Sequence, residues 1–295
     1  MKSAMIEITN DSVRSLLPQR DERGHKGTFG TALIVAGSPY MTGAGVLAAE
    51  SCLRSGAGMV RYMSDEKALL PVQIKCPCAL TSSIGNDMEE SRASIKKYYP
   101  KASACLIGPG TDEEDDRIRT ILTVLISGAK ALVIDASALN IISRYKDHYL
   151  PLIASRQDKG LDPAVLTPHL GEFARLCDGV LDPGEEGALK FASEYKTVLV
   201  LKSHDTLVAD TEGNCYVNKG ENSGLAKGGS GDVLSGLMTG LYAQGMKAQD
   251  AAVAAVYIHA KAGLCARSQK GERAMLPSDL PDMFPEVING IFDKG

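Results

Sequence analysis

The sequence predicts a doubly wound α/β protein whose mostly parallel sheet is covered by helices on both faces. Six short apolar runs alternate with longer helical patterns, and continuous apolar strands separated by helices are typical of parallel strands buried on both sides. The last third of the chain differs, because two strand-like runs flank a turn at Gly213 and two long helical patterns follow. We therefore expect an antiparallel edge in the C-terminal third of the sheet.

The individual elements follow from where each apolar pattern begins and ends. The predicted strands are 31–36, 59–63, 104–107, 131–134, 164–166 and 198–201, with 207–209 and 215–217 at the antiparallel edge. The predicted helices are 45–55, 89–98, 114–127, 171–176, 183–195, 232–243 and 248–268. No proline- or serine-rich linker, internal repeat or low-complexity block divides the sequence. We therefore expect one domain spanning residues 1–295.

Composition and charge narrow the possible classes of function. The 295 residues carry a formal net charge of −4, which provides no basic surface for nucleic acid or an anionic membrane. No apolar run approaches the roughly 20 residues that cross a bilayer, and residues 1–20 lack the apolar block of a signal peptide. The 7 cysteines are scattered, and Cys76-Pro-Cys78 lacks the spacing of a redox or zinc pair. These features predict a soluble, cytoplasmic protein with reduced cysteines.

The most informative segment is the glycine-rich run Asn222-Ser-Gly-Leu-Ala-Lys-Gly-Gly-Ser-Gly-Asp232, which leads directly into an apolar helical pattern. A helix that begins at Gly231 or Asp232 directs its unpaired N–H groups and its positive dipole end at a ligand. An anion hole is therefore predicted at Gly228, Gly229, Ser230 and Gly231, with Lys227 adding mobile positive charge. Asp232 would accept a proton from an attacking group, reach a metal, or merely favour the first helical turn.

Several other loops follow predicted strands, and the carboxyl ends of parallel strands meet at the edge where open α/β sheets bind ligands. These loops contain Gly108-Pro-Gly110, Asp135, Thr167-Pro-His169-Leu-Gly-Glu172 and Lys202-Ser-His-Asp-Thr206. Gly-Pro-Gly is also an ordinary tight turn, and a lone histidine such as His169 is more often structural. The convergence of the loops nevertheless favours a binding role at the edge that holds the anion hole.

Three further motifs have a plainer explanation than the site that they suggest. Gly43-Ala-Gly45-Val-Leu-Ala48, with Asp65 beyond it, resembles a dinucleotide fingerprint, but residues 38–42 separate it from the preceding strand, whereas the fingerprint starts directly after one. The acidic run 112–116 is either a metal cluster or, as we expect, a solvated first helical turn. His259 lies among small helical residues and is interpreted as a packed core histidine.

Nine segments recur in chain order in one known enzyme family. They are His25-Lys-Gly-Thr-Phe-Gly30, Ala36-Gly-Ser38, Gly43-Ala44, Arg54-Ser-Gly56-Ala-Gly58, Gly108-Pro-Gly110, Ile134-Asp-Ala136, Leu166-Thr-Pro-His169-Leu-Gly-Glu172, Val200-Leu-Lys202 and Asn222-Ser-Gly-Leu-Ala-Lys-Gly-Gly-Ser-Gly-Asp232. Together they resemble the ADP/ATP-dependent NAD(P)H-hydrate dehydratase family, which has a ribokinase-like fold. The resemblance runs from about residue 25 to 265, which is nearly the whole chain.

The resemblance implies an enzyme that repairs NADH or NADPH after water has added to the nicotinamide ring. ADP or ATP, with Mg²⁺, would phosphorylate the added hydroxyl of the S-form hydrate, and elimination would restore NAD(P)H, leaving phosphate and AMP or ADP. Asp232 would be the catalytic base, and Glu172 would organise magnesium-bound water. The implied substrate-binding residues are Ala44, Gly110, His169 and Asp232. The implied nucleotide-binding residues are Lys202, Ser203, His204, Asp205, Thr206 and Gly231.

Several properties stay open or depart from the family pattern. Ser203 stands where the family commonly has a glycine, so nucleotide contacts there can differ. The epimerase domain that often precedes this domain is not expected here, so epimerisation would be spontaneous or due to a separate epimerase. The resemblance also implies a homo-oligomer, as a tetramer. The alternatives are a ribokinase-like kinase of a vitamin or sugar and a nucleotide-sensing protein without turnover.

Overall fold

The described residues, 5–220 and 222–293 of a computed structural model, form one ten-stranded sheet. Its strands are Ile6–Glu7 (β1), Thr31–Val35 (β2), Met59–Ser64 (β3), Leu80–Ser83 (β4), Ala104–Ile107 (β5), Leu132–Ile134 (β6), Val165–Leu166 (β7), Val198–Leu201 (β8), Thr206–Ala209 (β9) and Cys215–Asn218 (β10). Their spatial order is β1-β10-β9-β8-β7-β6-β5-β2-β3-β4. Strand β9 is antiparallel to β8 and to β10, and the other neighbouring pairs are parallel.

Helices cover both faces of the sheet. The first face carries Asn10–Leu16 (α1), Thr42–Arg54 (α2), Leu69–Lys75 (α3), Ser230–Ala243 (α10), Ala248–Lys270 (α11) and Leu280–Phe292 (α12). The second carries Met88–Tyr98 (α4), Asp116–Gly128 (α5), Ser137–Arg144 (α6), Lys146–Ala154 (α7), Leu170–Leu176 (α8) and Glu185–Glu194 (α9). None of the helices in the described part of the chain has the length and apolar character that a bilayer crossing requires.

The two cores follow directly from the period of a strand, whose successive side chains point to opposite faces. In β2, Ala32 and Ile34 belong to the first core, whereas Leu33 and Val35 belong to the second. A strand buried on both faces must therefore be apolar at every position, which is the pattern that the sequence shows. The predicted doubly wound architecture is confirmed.

The predicted elements lie within three residues of the observed limits, but seven elements were not predicted: β1, β4, α1, α3, α6, α7 and α12. Strand β4 reads Leu-Thr-Ser-Ser and lies at the edge of the sheet, so it needs no continuous apolar run. The antiparallel edge is confirmed in β8, β9 and β10. Strand β1 adds a further strand outside β10 and runs parallel to it.

The order of the sheet brings the predicted site loops together. Strands β5, β6, β7 and β8 are consecutive neighbours, so the loops that follow them emerge side by side at one edge. The segment 25–30 instead precedes β2 and lies at the opposite edge. There, a Cβ atom on Gly30 would lie 1.8 Å from the carbonyl oxygen of Ala243, at the end of α10. This motif therefore closes the fold and takes no part in the site.

A buried arginine holds the second face of the sheet together. The guanidinium of Arg156 is fully buried and donates hydrogen bonds to five carbonyl oxygens. The acceptors are Asp162, Leu125, Ile126, Ala129 and Lys130. Four of these lie in the last turn of α5 or just after it, where helix carbonyls lack intrahelical partners. Burial lowers the pKa of Arg156 to about 10, so the guanidinium remains charged at neutral pH.

Replacing this arginine should destabilise the protein strongly. We expect Arg156→Met to lower the free energy of unfolding by roughly 3 kcal/mol or more, because buried carbonyls lose their donors. Arg156→Lys should cost less, since one ammonium can reach some of the five oxygens. Urea unfolding followed by circular dichroism measures both, with exposed Arg92→Met as the control. Equal stability of Arg156→Met and the control would contradict this role.

Candidate active site

The glycine-rich run ends at the start of α10, where the backbone requires glycine. Gly229 is the N-cap residue and has a φ of 102°, which disfavours any other residue. A Cβ atom there would also lie 2.7 Å from Cδ1 of Leu47. The amide of Ser230 donates to the carbonyl of Lys227 at 3.2 Å, whereas the first-turn amides of Gly231 and Asp232 have no intrahelical acceptor. Backbone donors therefore point out of this helix start.

Two cavities meet at that helix start. The larger is about 900 Å³ and the smaller about 460 Å³. The residues that line both are Ala136, Glu172, Gly228, Gly229 and Asp232. Asp232 therefore lies at the junction, next to the free amides and within reach of molecules bound on either side.

Most of the predicted substrate-binding residues lie around the smaller cavity. Ala44, Gly110 and Asp232 line it, whereas His169 lines the larger cavity. Gly110 has a φ of 63°, and a Cβ atom on it would lie 2.6 Å from Cβ of Ala44. These two residues therefore form a close-packed wall of backbone and methyl group that a flat ring can approach.

The predicted nucleotide-binding residues lie around the larger cavity, with one exception. Lys202, Ser203, His204, Thr206 and Gly231 line this cavity. Asp205 does not line it, because its carboxylate accepts a hydrogen bond of 3.0 Å from the amide of Gly220 and so holds the loop to β10. Ser203, at the position where the family commonly has glycine, donates its hydroxyl to the Asp205 carbonyl at 2.6 Å.

A buried ion pair lies beneath the start of α10. Lys202 Nζ donates to Asp135 Oδ1 at 2.7 Å, and Asp135 is 1% exposed. Burial lowers the pKa of Lys202, but the carboxylates of Asp135, Glu172 and Asp232 outweigh it, so the pKa rises overall and the ammonium stays charged. A Cβ atom on Gly231 would lie 3.2 Å from Lys202 Nζ, so the positive charge is adjacent to the free amides. The sequence predicts that Asp135 lies at this edge, but not that it pairs with Lys202.

The environment of Asp232 makes it a better proton acceptor than an exposed carboxylate. Burial, and then the negative charge of Asp135, raise the pKa of Asp232 to about 6, against the opposing effect of Lys202. Asp232 is therefore ionised at neutral pH, yet it binds a proton more readily than a free aspartate does. That combination suits a general base.

Lys227 does not supply the mobile charge that the sequence suggested. Its ammonium donates hydrogen bonds to the carbonyl oxygens of Arg273, at 2.8 Å, and Met275. Nearby, the carboxylate of Glu272 accepts hydrogen bonds from the amide and the hydroxyl of Ser223. The loop after α11 therefore braces the glycine-rich run at two points. The prediction for Lys227 is wrong because this loop brings carbonyl oxygens within reach of the side chain.

His169 and Glu172 form a capping box at the start of α8. His169 Nδ1 accepts from the amides of Gly171 and Glu172 at 3.0 and 3.2 Å, and Glu172 Oε2 accepts from the amide of His169 at 2.8 Å. The His169 side chain remains 55% exposed. Its other ring nitrogen, Nε2, lies 3.6 Å from Glu172 Oε1, so both ring nitrogens have neighbours at the start of α8.

In the described part of the chain, side chains alone do not form a metal-binding site. Within 5–220 and 222–293, no group of three or more His, Cys, Asp or Glu residues could hold a metal ion. Glu172 is 5% exposed and lines both cavities. Its Oε2 accepts a hydrogen bond from the His169 amide, and its Oε1 lies 3.6 Å from His169 Nε2. A single carboxylate at the cavity junction fits Mg²⁺. This ion usually keeps several waters and is held by only one or two protein carboxylates together with substrate phosphates.

The segment 43–48 with Asp65, which resembles a dinucleotide fingerprint, and the acidic run 112–116 have structural roles. Asp65 pairs with Arg117 at 2.9 Å, and Asp115, at the start of α5, pairs with the same arginine. The segment 43–48 lies inside α2, and seven residues separate it from the end of β2. Neither the ribose-binding acid nor the tight turn of a dinucleotide fingerprint is formed.

Comparison with known proteins identifies close relatives over nearly the whole chain. Residues 32–286 match the family model described as NAD(P)H-hydrate dehydratase. The chain is 32% identical to the ADP-dependent (S)-NAD(P)H-hydrate dehydratase of Bacillus subtilis, over 95% of this chain and 96% of that protein. It is 35% identical to the bifunctional NAD(P)H-hydrate repair enzyme Nnr of Moorella thermoacetica, over 95% of this chain. It spans about half of that protein, 53% of its length.

Solved structures confirm the ribokinase-like fold. The B. subtilis ADP/ATP-dependent NAD(P)H-hydrate dehydratase, co-crystallised with ATP and Mg²⁺, superposes with a TM-score of 0.83 at 29% identity and covers 98% of this chain and 99% of that one. A ribokinase-like superfamily protein from Enterococcus faecalis superposes with a TM-score of 0.82 at 26% identity, covering 97% of this chain and 96% of that one.

The electrostatic coupling within the site can be tested without any ligand. We expect Asp135→Asn to lower the pKa of Asp232 from about 6, because it removes a nearby negative charge and frees Lys202 to face Asp232. Titration of ¹³C-labelled aspartate carboxyls by NMR measures the change. The control is Asp210→Asn, an equally buried aspartate in the β9–β10 turn. An unchanged Asp232 titration would show that Asp135 does not act on it.

Proposed function

Because this chain belongs to the NAD(P)H-hydrate dehydratase family, we propose that it dehydrates the S-form of hydrated NADH or NADPH at the expense of ADP or ATP. The observation that carries the proposal is the position of Asp232 at the junction of two cavities, beside free amides at a helix start. The larger cavity has the residues to hold a nucleotide. The smaller cavity has the close-packed wall to hold a hydrated nicotinamide ring.

The phosphate chain of the nucleotide would point toward the glycine-rich run. Main-chain amides at a helix N-terminus favour phosphate oxygens, and the dipole of α10 adds to this effect. Lys202 lies next to Gly231 and would neutralise charge that builds up on the transferring phosphoryl group. Asp135 keeps that ammonium charged and in place.

In the first chemical step, the added hydroxyl of the hydrate loses its proton to Asp232. Its oxygen bonds to the terminal phosphorus as the bond from phosphorus to the nucleotide oxygen breaks, which yields AMP from ADP or ADP from ATP. In the second step the carbon–oxygen bond breaks, phosphate leaves, and the neighbouring ring carbon gives up a proton. The product is the restored reduced nicotinamide.

Magnesium is part of the proposal and would arrive with the nucleotide. A relative that is 29% identical over 98% of this chain was co-crystallised with ATP and Mg²⁺, which supports the use of Mg²⁺ here. When bound, the ion would neutralise phosphate charge during transfer. Glu172 is the residue of this chain that we assign to it, through a bound water.

We propose ADP as the phosphoryl donor, because several relatives of similar identity are named ADP-dependent dehydratases.

We also propose a cytoplasmic enzyme, with the described cysteines reduced, that works as a homo-oligomer. The tetrameric form can be tested by light scattering. A separate epimerase would supply the S-form from the other epimer, and the bifunctional repair relatives support a partner activity of that kind.

Removal of the base should abolish repair and spare nucleotide binding. We expect Asp232→Asn to lower kcat by about 10²–10⁴-fold, which is the usual contribution of a general base. The assay mixes ADP with hydrated NADH and follows the recovery of near-ultraviolet absorbance, while calorimetry measures ADP affinity. The matched control is Asp250→Asn, which changes the first-turn aspartate of α11, outside both cavities.

Other outcomes of this assay separate the competing hypotheses. Accumulation of a phosphorylated vitamin or sugar, without recovery of NADH, would favour the kinase hypothesis. Nucleotide binding without turnover of any acceptor would favour a sensor. Full activity of Asp232→Asn would contradict the assignment of Asp232 as the base.

The pH dependence should report the same carboxylate. Because Asp232 must be ionised to accept a proton and its pKa is raised to about 6, we expect kcat/KM to fall as the pH drops below about 6. Nucleotide phosphates titrate in a similar range, so the wild type alone does not separate the two groups. The acidic limb of any residual activity in Asp135→Asn should move to lower pH, whereas a limb caused by the nucleotide should stay.

A further inference from the structure

A histidine from the neighbouring helix contacts the first residue of α10. His259 lies in α11, is 8% exposed, and lines the inner wall of the larger cavity. Its Nε2 atom lies 3.1 Å from the carbonyl oxygen of Ser230 and 3.3 Å from the Ser230 hydroxyl oxygen. The small residues around His259 in the sequence predict a packed core histidine. The side chain is indeed buried, but a packing role alone does not explain these two polar contacts.

The carbonyl contact fixes the tautomer of the ring. A carbonyl oxygen can only accept a hydrogen bond, so the nitrogen 3.1 Å from it must carry the proton. Burial, followed by the nearby positive charge of Lys202, lowers the pKa of His259 to about 4 despite the hydrogen bond to Ser230. At neutral pH the ring is therefore neutral, with its proton on Nε2 and directed at Ser230.

This tautomer decides what the Ser230 hydroxyl can do. Because Nε2 is a donor, the hydroxyl cannot donate its own proton to that nitrogen and can only receive from it. The Ser230 amide is already used, since it donates to the carbonyl of Lys227 at 3.2 Å. The hydroxyl proton is therefore the one donor of Ser230 that remains for a ligand in the cavity that this residue lines.

We propose that His259 is a positioning residue that turns the Ser230 hydroxyl into a phosphate donor, which adds one side-chain donor to the main-chain amides of the anion hole. The identity of the ligand as a nucleotide rests on the proposed function. The physical claim needs only a phosphate group at the start of α10. In this role the Ser230 hydroxyl contributes to the anion hole, whereas the Ser230 amide does not.

The proposal is tested by the affinity of purified full-length variants for ADP with Mg²⁺, measured by calorimetry at neutral pH. We expect Ser230→Ala to weaken binding about tenfold, the effect of one hydrogen bond to a charged group. His259→Leu should weaken it to a similar extent. His259→Gln should stay within about threefold of the wild type, because a glutamine N–H can still donate to the Ser230 carbonyl.

The double variant and a control distinguish positioning from loss of structure. If His259 acts through the Ser230 hydroxyl, Ser230→Ala combined with His259→Leu should bind ADP no more weakly than Ser230→Ala alone. Thr239→Val is the control, because that buried hydroxyl bonds to the Ser235 carbonyl farther along α10 and lies outside both cavities. ADP affinity equal to wild type in Ser230→Ala, or fully additive losses in the double variant, would overturn the proposal.

A spectroscopic measurement examines the histidine directly. The ¹⁵N chemical shifts of the His259 ring at neutral pH should be those of a neutral imidazole protonated on Nε2. A proton on Nδ1, or a doubly protonated ring, would overturn the proposal, since either state removes the reason for the hydroxyl to face the ligand. This readout uses the wild type, so it decides the question even if His259→Leu fails to fold.

The dehydratase activity and the role of His259 can be tested independently of each other. If the wild type binds ADP but restores no NADH or NADPH, the dehydratase proposal fails, while the ADP affinities still decide the role of Ser230. If the wild type restores NADH and Ser230→Ala binds ADP as tightly as the wild type does, only the inference about His259 fails. A wild type that binds neither ADP nor ATP would overturn both.

Discussion

The structure depends on one electrostatic constraint, a carboxylate placed beside a helix start that attracts anions. Asp232 and a phosphate would repel each other, so the site needs a compensating positive charge that cannot drift into solvent. Lys202 provides it, because Asp135 holds its ammonium at 2.7 Å beneath the first turn of α10. The same two charges act on Asp232 in opposite directions, and burial completes the rise of its pKa to about 6. In the proposed reaction, this one cluster would serve both phosphate binding and proton transfer.

The start of α10 is held by three separate parts of the fold. His259 contacts Ser230 from α11, Lys227 binds carbonyl oxygens of the loop after α11, and Leu47 of α2 leaves no room for a side chain at Gly229. Such bracing matters because amides stabilise a transferring phosphoryl group only if they already point at it before reaction. Beyond its start, α10 packs against α2, α11 and the sheet, so it is buried along almost its whole length.

Much of the fold and the centre of the site could be predicted from local sequence. Fully apolar runs, such as 104–107 and 198–201, identify central parallel strands because both faces of those strands are covered. The glycine-rich run beside Asp232 indicates an anion site because closely spaced glycines let an anion approach the free amides at a helix start. Short or edge elements such as β1 and β4 lack a strong period, and so their sequences did not identify them.

The sequence by itself determined the type of sheet, the edge where the site loops converge, and the carboxylate in the glycine-rich run, because each is encoded by neighbouring residues. Only the tertiary structure decided which charges are paired. Asp135 and Lys202 are 67 residues apart in sequence, and the acceptors of Lys227 lie more than forty residues beyond it. Whether a lysine is a free cation or a brace depends on which oxygen atoms the folded chain brings within 3 Å, and local patterns carry no information about that distance.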